Sequence, residues 1–220
     1  MMHRFLVLSL ALLFVSCHKQ NAQYTTLYQD DGHRRPTIAF VPVIDHSDAE
    51  VPWNLSEEFT RSIKNRIASR AKIHFTDETD VMHIVAQCDE TCQPFAQDIS
   101  WMQKAFKEQQ FVVFIELVDH YLHTHPHQRI AELEDNRSAF LDLTMRVRTA
   151  DVRGSRPKVV LQELIHHNHA IPKLFANTDY NDKHWGKTSF NFTPMGLAHA
   201  QLVKEVCSRI EDYVSIAYTR

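Results

Sequence analysis

The chain has 220 residues, 44 % of them hydrophobic and only four of them glycine, enough apolar material for one packed domain and too much for a disordered chain. Its formal net charge is −3, and because the first sixteen residues carry only Arg4, the part from Cys17 onward has 23 basic against 27 acidic side chains, or −4. A mildly acidic domain lacks the basic footprint that nucleic acid requires, so nucleic acid is excluded as a partner.

Met1 to Ser16 has a short basic start at Arg4 followed by an apolar core from Phe5 to Val15. Such a core falls short of the roughly 20 residues needed to span a bilayer and matches the h-region of an export signal. The run ends LFVSC, which resembles the lipobox of bacterial lipoproteins: Ser16 stands before Cys17, with Phe14 where leucine is commoner. The resemblance implies that Cys17 is lipidated and becomes the mature N-terminus. His18 is not the aspartate that in such lipoproteins favours the inner membrane, so the analogy implies an outer-membrane anchor facing the periplasm. Residues 1–16 are thus read as signal peptide, 17–35 as lipidated N-terminus and polar tether, and 36–220 as the globular domain. At about 3.5 Å per residue the tether reaches at most about 60 Å.

The domain opens with an apolar run from Thr37 to Val43, between Pro36 and Pro42, that reads as a buried strand. Asn54 is placed to cap a helix, with Glu57 in capping-box position, and Leu55, Phe59, Ile63 and Ile67 recur at intervals of four on one face. Glu57 and Glu58 read as first-turn acids that complement the helix dipole. Thr76 or Asp77 caps a shorter helix carrying Val81, Ile84 and Val85, and a further helix over about Asp98 to Gln109 aligns Ile99, Met102 and Phe106. FVVFIELV, from Phe111 to Val118, is apolar apart from Glu116 and reads as a central strand covered on both faces. A buried carboxylate needs a partner, so Glu116 is expected at a rim.

From Ala139 to Val152 the period changes to two, Leu141, Leu143, Met145 and Val147 alternating with Asp142, Thr144, Arg146 and Arg148, as in a strand with one wet face. A turn at Arg153 to Pro157 and a returning strand over Lys158 to Ala170 complete an antiparallel hairpin. Lys173 to Asn191 has no period and reads as a long loop; Thr193 and Pro194 then start a last helix whose apolar stripe runs from Leu202 to Ala217. The expected fold is α/β: a single mixed sheet packed by amphipathic helices, in the order strand, helix, strand, helices, strand, hairpin, helix.

That order, with TIAFVPV and WNLSEEFTRSIKNRI at its start and TADVRGSRPKVVLQEL at the hairpin, resembles the N-terminal domain of TolB and the periplasmic core of the curli secretion lipoprotein. The likeness covers about Pro36 to Ile216. The whole chain, lipobox included, also resembles a small family of uncharacterised chlamydial lipoproteins. The resemblance implies an anchored envelope component that works through contacts with other envelope proteins, and it carries no catalytic residue.

Fifteen histidines are many for this length. His123, His125 and His127 alternate, as do His167 and His169 beside His166, and neutral imidazoles so spaced suit Zn, Cu or Ni. A joint site requires the two groups to converge. No nucleophile elbow, P-loop, dinucleotide fingerprint or zincin motif is present, and Asp45 beside His46 in a loop is weak evidence for an acid–base site. Cys88 and Cys92, four apart in an exported chain, are expected to form a disulfide worth about 2 kcal/mol, and Cys207 reads as a buried free thiol. The leading reading is a lipid-anchored adaptor or assembly component without cofactor. The alternatives are a lipid or lipopolysaccharide carrier, which needs an apolar cavity, and a histidine-based metal-binding lipoprotein.

Overall fold

A computed structural model describes residues 26–123, 137–175 and 177–220. Strand β1 (Thr37–Phe40) is followed by β2 (Ile44–Asp45), helix α1 (Leu55–Ser69), β3 (His74–Phe75), α2 (Glu78–Ala86), α3 (Ser100–Ala105), β4 (Phe111–His123), β5 (Arg137–Asp151), β6 (Lys158–Pro172) and α4 (Pro194–Tyr218). The six strands make one open mixed sheet in the order β3, β1, β4, β5, β6, with β2 also paired to β4. The strands from β3 to β4 run parallel, and β4, β5 and β6 are joined antiparallel.

The start of α1 is written locally. Asn54 Oδ1 accepts from the Glu57 backbone N–H at 2.9 Å, satisfying one orphan donor of the first turn. Glu57 itself pairs with Arg61 at 3.2 Å. Leu55, Phe59, Ile63 and Ile67 are all 2 % exposed or less, and each such burial contributes about 2 kcal/mol. Thr193 caps α4 in the same way, its Oγ1 accepting from Gly196 N–H at 3.0 Å.

Helices α1 and α4 cover one face of the sheet, packing on Phe111, Val113, Ile115, Leu117 and the odd-numbered residues of β5. Helices α2 and α3 cover the other face over Val112, Phe114 and Ala150. Burial on both sides is why the first half of β4 shows no alternation. The expected wet face of β5 is corrected here: Thr144 and Arg148 are buried. Arg148 is held by donating to the carbonyls of Pro94, Phe95 and Ala96 at 2.8, 3.1 and 2.6 Å, which lays that loop over the sheet. Burial and the neighbouring Arg146 lower its pKa. The expected helix over Asp98 to Gln109 is shorter, six residues, because the chain turns at Phe106 towards β4.

Candidate functional site

Between β6 and α4 the chain makes two 3-10 turns, Lys173–Phe175 and Thr188–Phe192. The second is anchored by Phe190, 2 % exposed, whose ring meets Trp53 edge-on at 5.3 Å and His199 at 5.7 Å. Around this anchor four apolar side chains remain open to solvent: Leu174 at 86 %, Phe192 at 76 %, Leu197 at 59 % and Phe175 at 43 %. Phe175, Phe192 and Leu197 border a groove of about 300 Å³ whose other walls are the end of β6 and the first turns of α4. No Asp, Glu, Lys or Arg side chain lines it, and the pKa of the one histidine there, His169, is lowered by burial and then by His167.

Against Phe190 runs a chain of polar side chains, half-buried at Trp53 and buried at its other members. Trp53 Nε1–H donates to Glu58 Oε2 at 2.6 Å, and Glu58 Oε1 takes the Nδ1 of His199 at 2.7 Å. Across the ring, His199 Nε2 meets His120 Nε2 at 2.9 Å, so one of these two nitrogens carries the shared hydrogen. Glu58 and His199 are 2 % exposed and His120 is 5 %. Burial and then His199 push His120 down to about 4. The chain joins the loop before α1, α1 itself, α4 and β4. Its geometry suits holding these elements in register rather than meeting a substrate.

His120 reaches this cluster through a β-bulge. The pairing of β4 with β5 shifts between Leu117 and Asp119, which leaves Val118 as the extra residue. Inward positions are odd up to Leu117 and even from His120. Uninterrupted alternation would have turned Asp119 inward instead.

The bulge also decides the fate of the expected histidine site. His123 lies on the face away from α4, 2.8 Å from Asp142 and stacked on Tyr121. His167 and His169 lie on the α4 face, stacked at 5.6 Å, with His167 Nε2 at 2.8 Å from Glu205. Strand β5 stands between the two groups, which puts them about 10 Å apart as well as on opposite faces. His125 and His127, like Cys17, fall outside the described residues. Among the described residues no group of three or more His, Cys, Asp or Glu side chains is placed to hold a metal ion.

Cys88, Cys92 and Cys207 are all free thiols, so the expected Cys88–Cys92 disulfide is not formed here. Cys88 is raised to about 11 by burial and then by its hydrogen bond with Cys92. Glu116, expected at a rim, lies mid-sheet and 6 % exposed. It is tolerated because Arg146, directly opposite on β5, donates to Oε2 at 2.5 Å, and His46 Nδ1 lies 2.6 Å from Oε1. Arg146 also stacks over Phe95, 4.3 Å from its ring centroid. His46 therefore serves Glu116 and not Asp45, whose carboxylate accepts from Ser47.

Glu58 is likewise no mere first-turn acid. The signal that would have found it is a polar residue standing within the apolar stripe of each helix. Glu58 sits beside Leu55 and Phe59 on α1, and His199 between Met195 and Leu202 on α4. A buried acid and a buried histidine on neighbouring stripes are each other's natural partners.

The hypothetical protein CT253 from Chlamydia trachomatis is similar to this structure with a TM-score of 0.65 and 25 % identity, over 82 % of this chain and 98 % of that one. Lipoprotein GNA1162 from Neisseria meningitidis shows a fainter likeness, with a TM-score of 0.37 and 14 % identity over 80 % of this chain and 99 % of that one. The LpoB C-terminal domain from Salmonella enterica gives 0.32 and 12 % over 60 % and 82 %. A comparison with curated proteins finds no match. Residues 24–218 match the family of unknown function DUF7499, and the chain belongs to that family.

Proposed function

We propose that this protein is a lipid-anchored component of the cell envelope, attached through Cys17 to the periplasmic side of the outer membrane, and that it acts as a non-enzymatic adaptor by binding another envelope protein at its apolar pole. The observation that carries this reading is the patch itself: Phe175, Phe192 and Leu197 expose apolar surface around one groove, with Leu174 exposed next to Phe175 in the chain. Contiguous apolar surface of this kind marks interaction sites.

The placement of the pole fits an anchored protein. At the start of the described chain, Arg34 O accepts from Tyr218 Oη at 3.1 Å, so the tether enters beside the C-terminal end of α4. The groove is lined by the first turns of that 25-residue helix, about 30 Å from Tyr218. No helix among the described residues is long and apolar enough to cross a membrane. The carrier alternative finds less support, since Phe59, Ile63, Leu141, Leu143 and Leu202 fill the space between sheet and helices with none of them exposed.

The test pairs two changes in the full chain. Cys17→Ala is expected to abolish palmitate incorporation and release a folded protein from the membrane fraction. A photocrosslinking residue at position 192 is expected to give one protein adduct of defined mass in intact cells, lost when Leu197 is also changed to Glu. Label on the Cys17→Ala protein would overturn the anchor, and adducts with lipid alone would overturn the adaptor.

A further inference from the structure

The two edges of the sheet differ. One is made of β3 and β2, two residues each, and the other is β6, fifteen residues long. Only β5 pairs with β6, and among the described residues no other backbone group bonds to it. A strand of that length presents a row of unpaired N–H and C=O groups over about 50 Å. Natural proteins normally cover, shorten or charge such an edge. Lys158 at one end, Glu163 along its length and Pro172 at the other end guard it, while Leu164 and Val159 stand 64 % and 42 % exposed along it.

The groove is continuous with this edge. His169, Ala170 and Pro172 are at once the last turns of the β6 pleat and one wall of the groove, and Leu197 and Gln201 of α4 form the facing wall. An extended segment lying along β6 would carry alternate side chains to the α4 face, one of them directly into the groove. Farther up the strand that face is charged but balanced, with Arg209 set 3.4 Å from Glu163 and 3.6 Å from Glu205. The edge therefore asks for neither an acidic nor a basic occupant. A helix laid in the groove would leave the backbone groups of β6 unmet, whereas a strand satisfies both features together. At one end of the edge, His169 Nε2 is buried without a hydrogen-bond partner.

We propose that β6 is a docking strand: an extended, uncharged segment of a partner polypeptide adds to its outer edge as a further strand and seats an apolar side chain in the groove between Pro172 and Leu197. This names the manner of recognition for the adaptor role and rests on that reading. Main-chain hydrogen bonds supply the affinity, and the groove supplies the choice of sequence. The side chain beside the groove is apolar and of aromatic size, and the segment's next inward residues are polar where they pass Glu163 and Arg209.

The test uses the full chain and a random library of peptides of about 12 residues, long enough to follow most of the edge. Selected peptides are expected to be uncharged, with an apolar or aromatic residue near one end. Leu197→Arg, at an exposed position, is expected to weaken their binding at least about tenfold. N-methylation at alternate peptide positions is expected to abolish binding in one phase and spare it in the other, because only alternate amides face β6. Equal binding in both phases, a helical bound peptide, or no selected peptide would overturn the strand mode. A Phe192 photoadduct obtained alongside any of those results would leave the adaptor reading standing, so the two failures are distinct. Self-association that Leu164→Lys dissolves would show the occupant to be a second copy and would also overturn the proposal.

Discussion

Glu58 and His199 are 141 positions apart in sequence and 2.7 Å apart in space, the carboxyl oxygen of one helix against the Nδ1 of another. The contact ties α1 to α4 at the point where both support the loop bearing Phe190. Removing one member of a buried polar pair leaves the other without compensation. Glu58→Ala is expected to lower the unfolding free energy by about 3 kcal/mol, because it strands both His199 and the Trp53 indole N–H. Glu58→Gln, which keeps an acceptor in place, is expected to cost less than half of that. Urea denaturation of the three proteins checks the order.

Acid should act through the same cluster. His120 is pushed down to about 4, first by burial and then by His199, from an ordinary value near 6.5. Above pH 6.5 neither the folded nor the unfolded chain binds a proton there, and the residue adds no pH dependence. As pH falls from about 6.5 to about 4 the unfolded chain takes up a proton that the fold refuses, so stability falls, by up to about 3 kcal/mol, and then levels off. His169, also lowered by burial, adds in the same direction. Stability measured at several pH values should show this slope, and His120→Asn should lose most of it while keeping a partner for His199.

How far the sequence could anticipate this arrangement depends on how local each cause is. Asn54, Asp77 and Thr193 cap their helices as expected, Asp77 Oδ1 accepting from Thr79 N–H at 2.8 Å, because a cap needs only a side chain and the backbone two or three residues on. The stripe of α1 and the strands β4, β5 and β6 were legible from period and composition. Val118 was not: inside FVVFIELV, where both faces are apolar, an extra residue leaves no mark on the alternation. Arg148 read as solvent-facing because its partners are carbonyls of a distant loop, which no side-chain pattern encodes. Glu58 was hidden by Glu57, its neighbour, which does behave as the exposed acid expected of that turn.

Two glycine exchanges should move stability in opposite directions. A Cβ at position 196 would lie 2.1 Å from Phe190 O, so Gly196→Ala forces the Thr188–Phe192 turn off α4. The expected loss is about 2 kcal/mol, with the Phe190 region opening first in amide exchange. Ala71, just beyond the end of α1, holds φ at 51°, a left-handed conformation that disfavours a Cβ. Ala71→Gly should therefore stabilise the protein by about 0.5 kcal/mol in thermal or chemical unfolding.

The thiols should separate by access. Cys207 is fully buried beside Ile63 and raised to about 12 by burial and then by Glu211, so alkylating reagents should reach it only on unfolding. Cys88 and Cys92 are half-buried and border a surface hollow with His83 and Trp101. They should be modified in the native protein at alkaline pH, and peptide mapping after brief iodoacetamide treatment distinguishes the three sites. Rapid native labelling of Cys207 would contradict the packing of α1 on α4.

The bulge makes β4 unequal in what it can lose. Deleting Val118 would leave Leu117 inward, Asp119 outward and His120 inward, a regular pleat in which the chain from Trp53 to His120 keeps its members. Deleting any one residue between Val112 and Leu117 would instead throw either Glu116 or the apolar side chains before it onto the wrong face. Among relatives that differ in length along this strand, the gap should therefore fall at Val118, the single place where the sheet already carries a residue to spare.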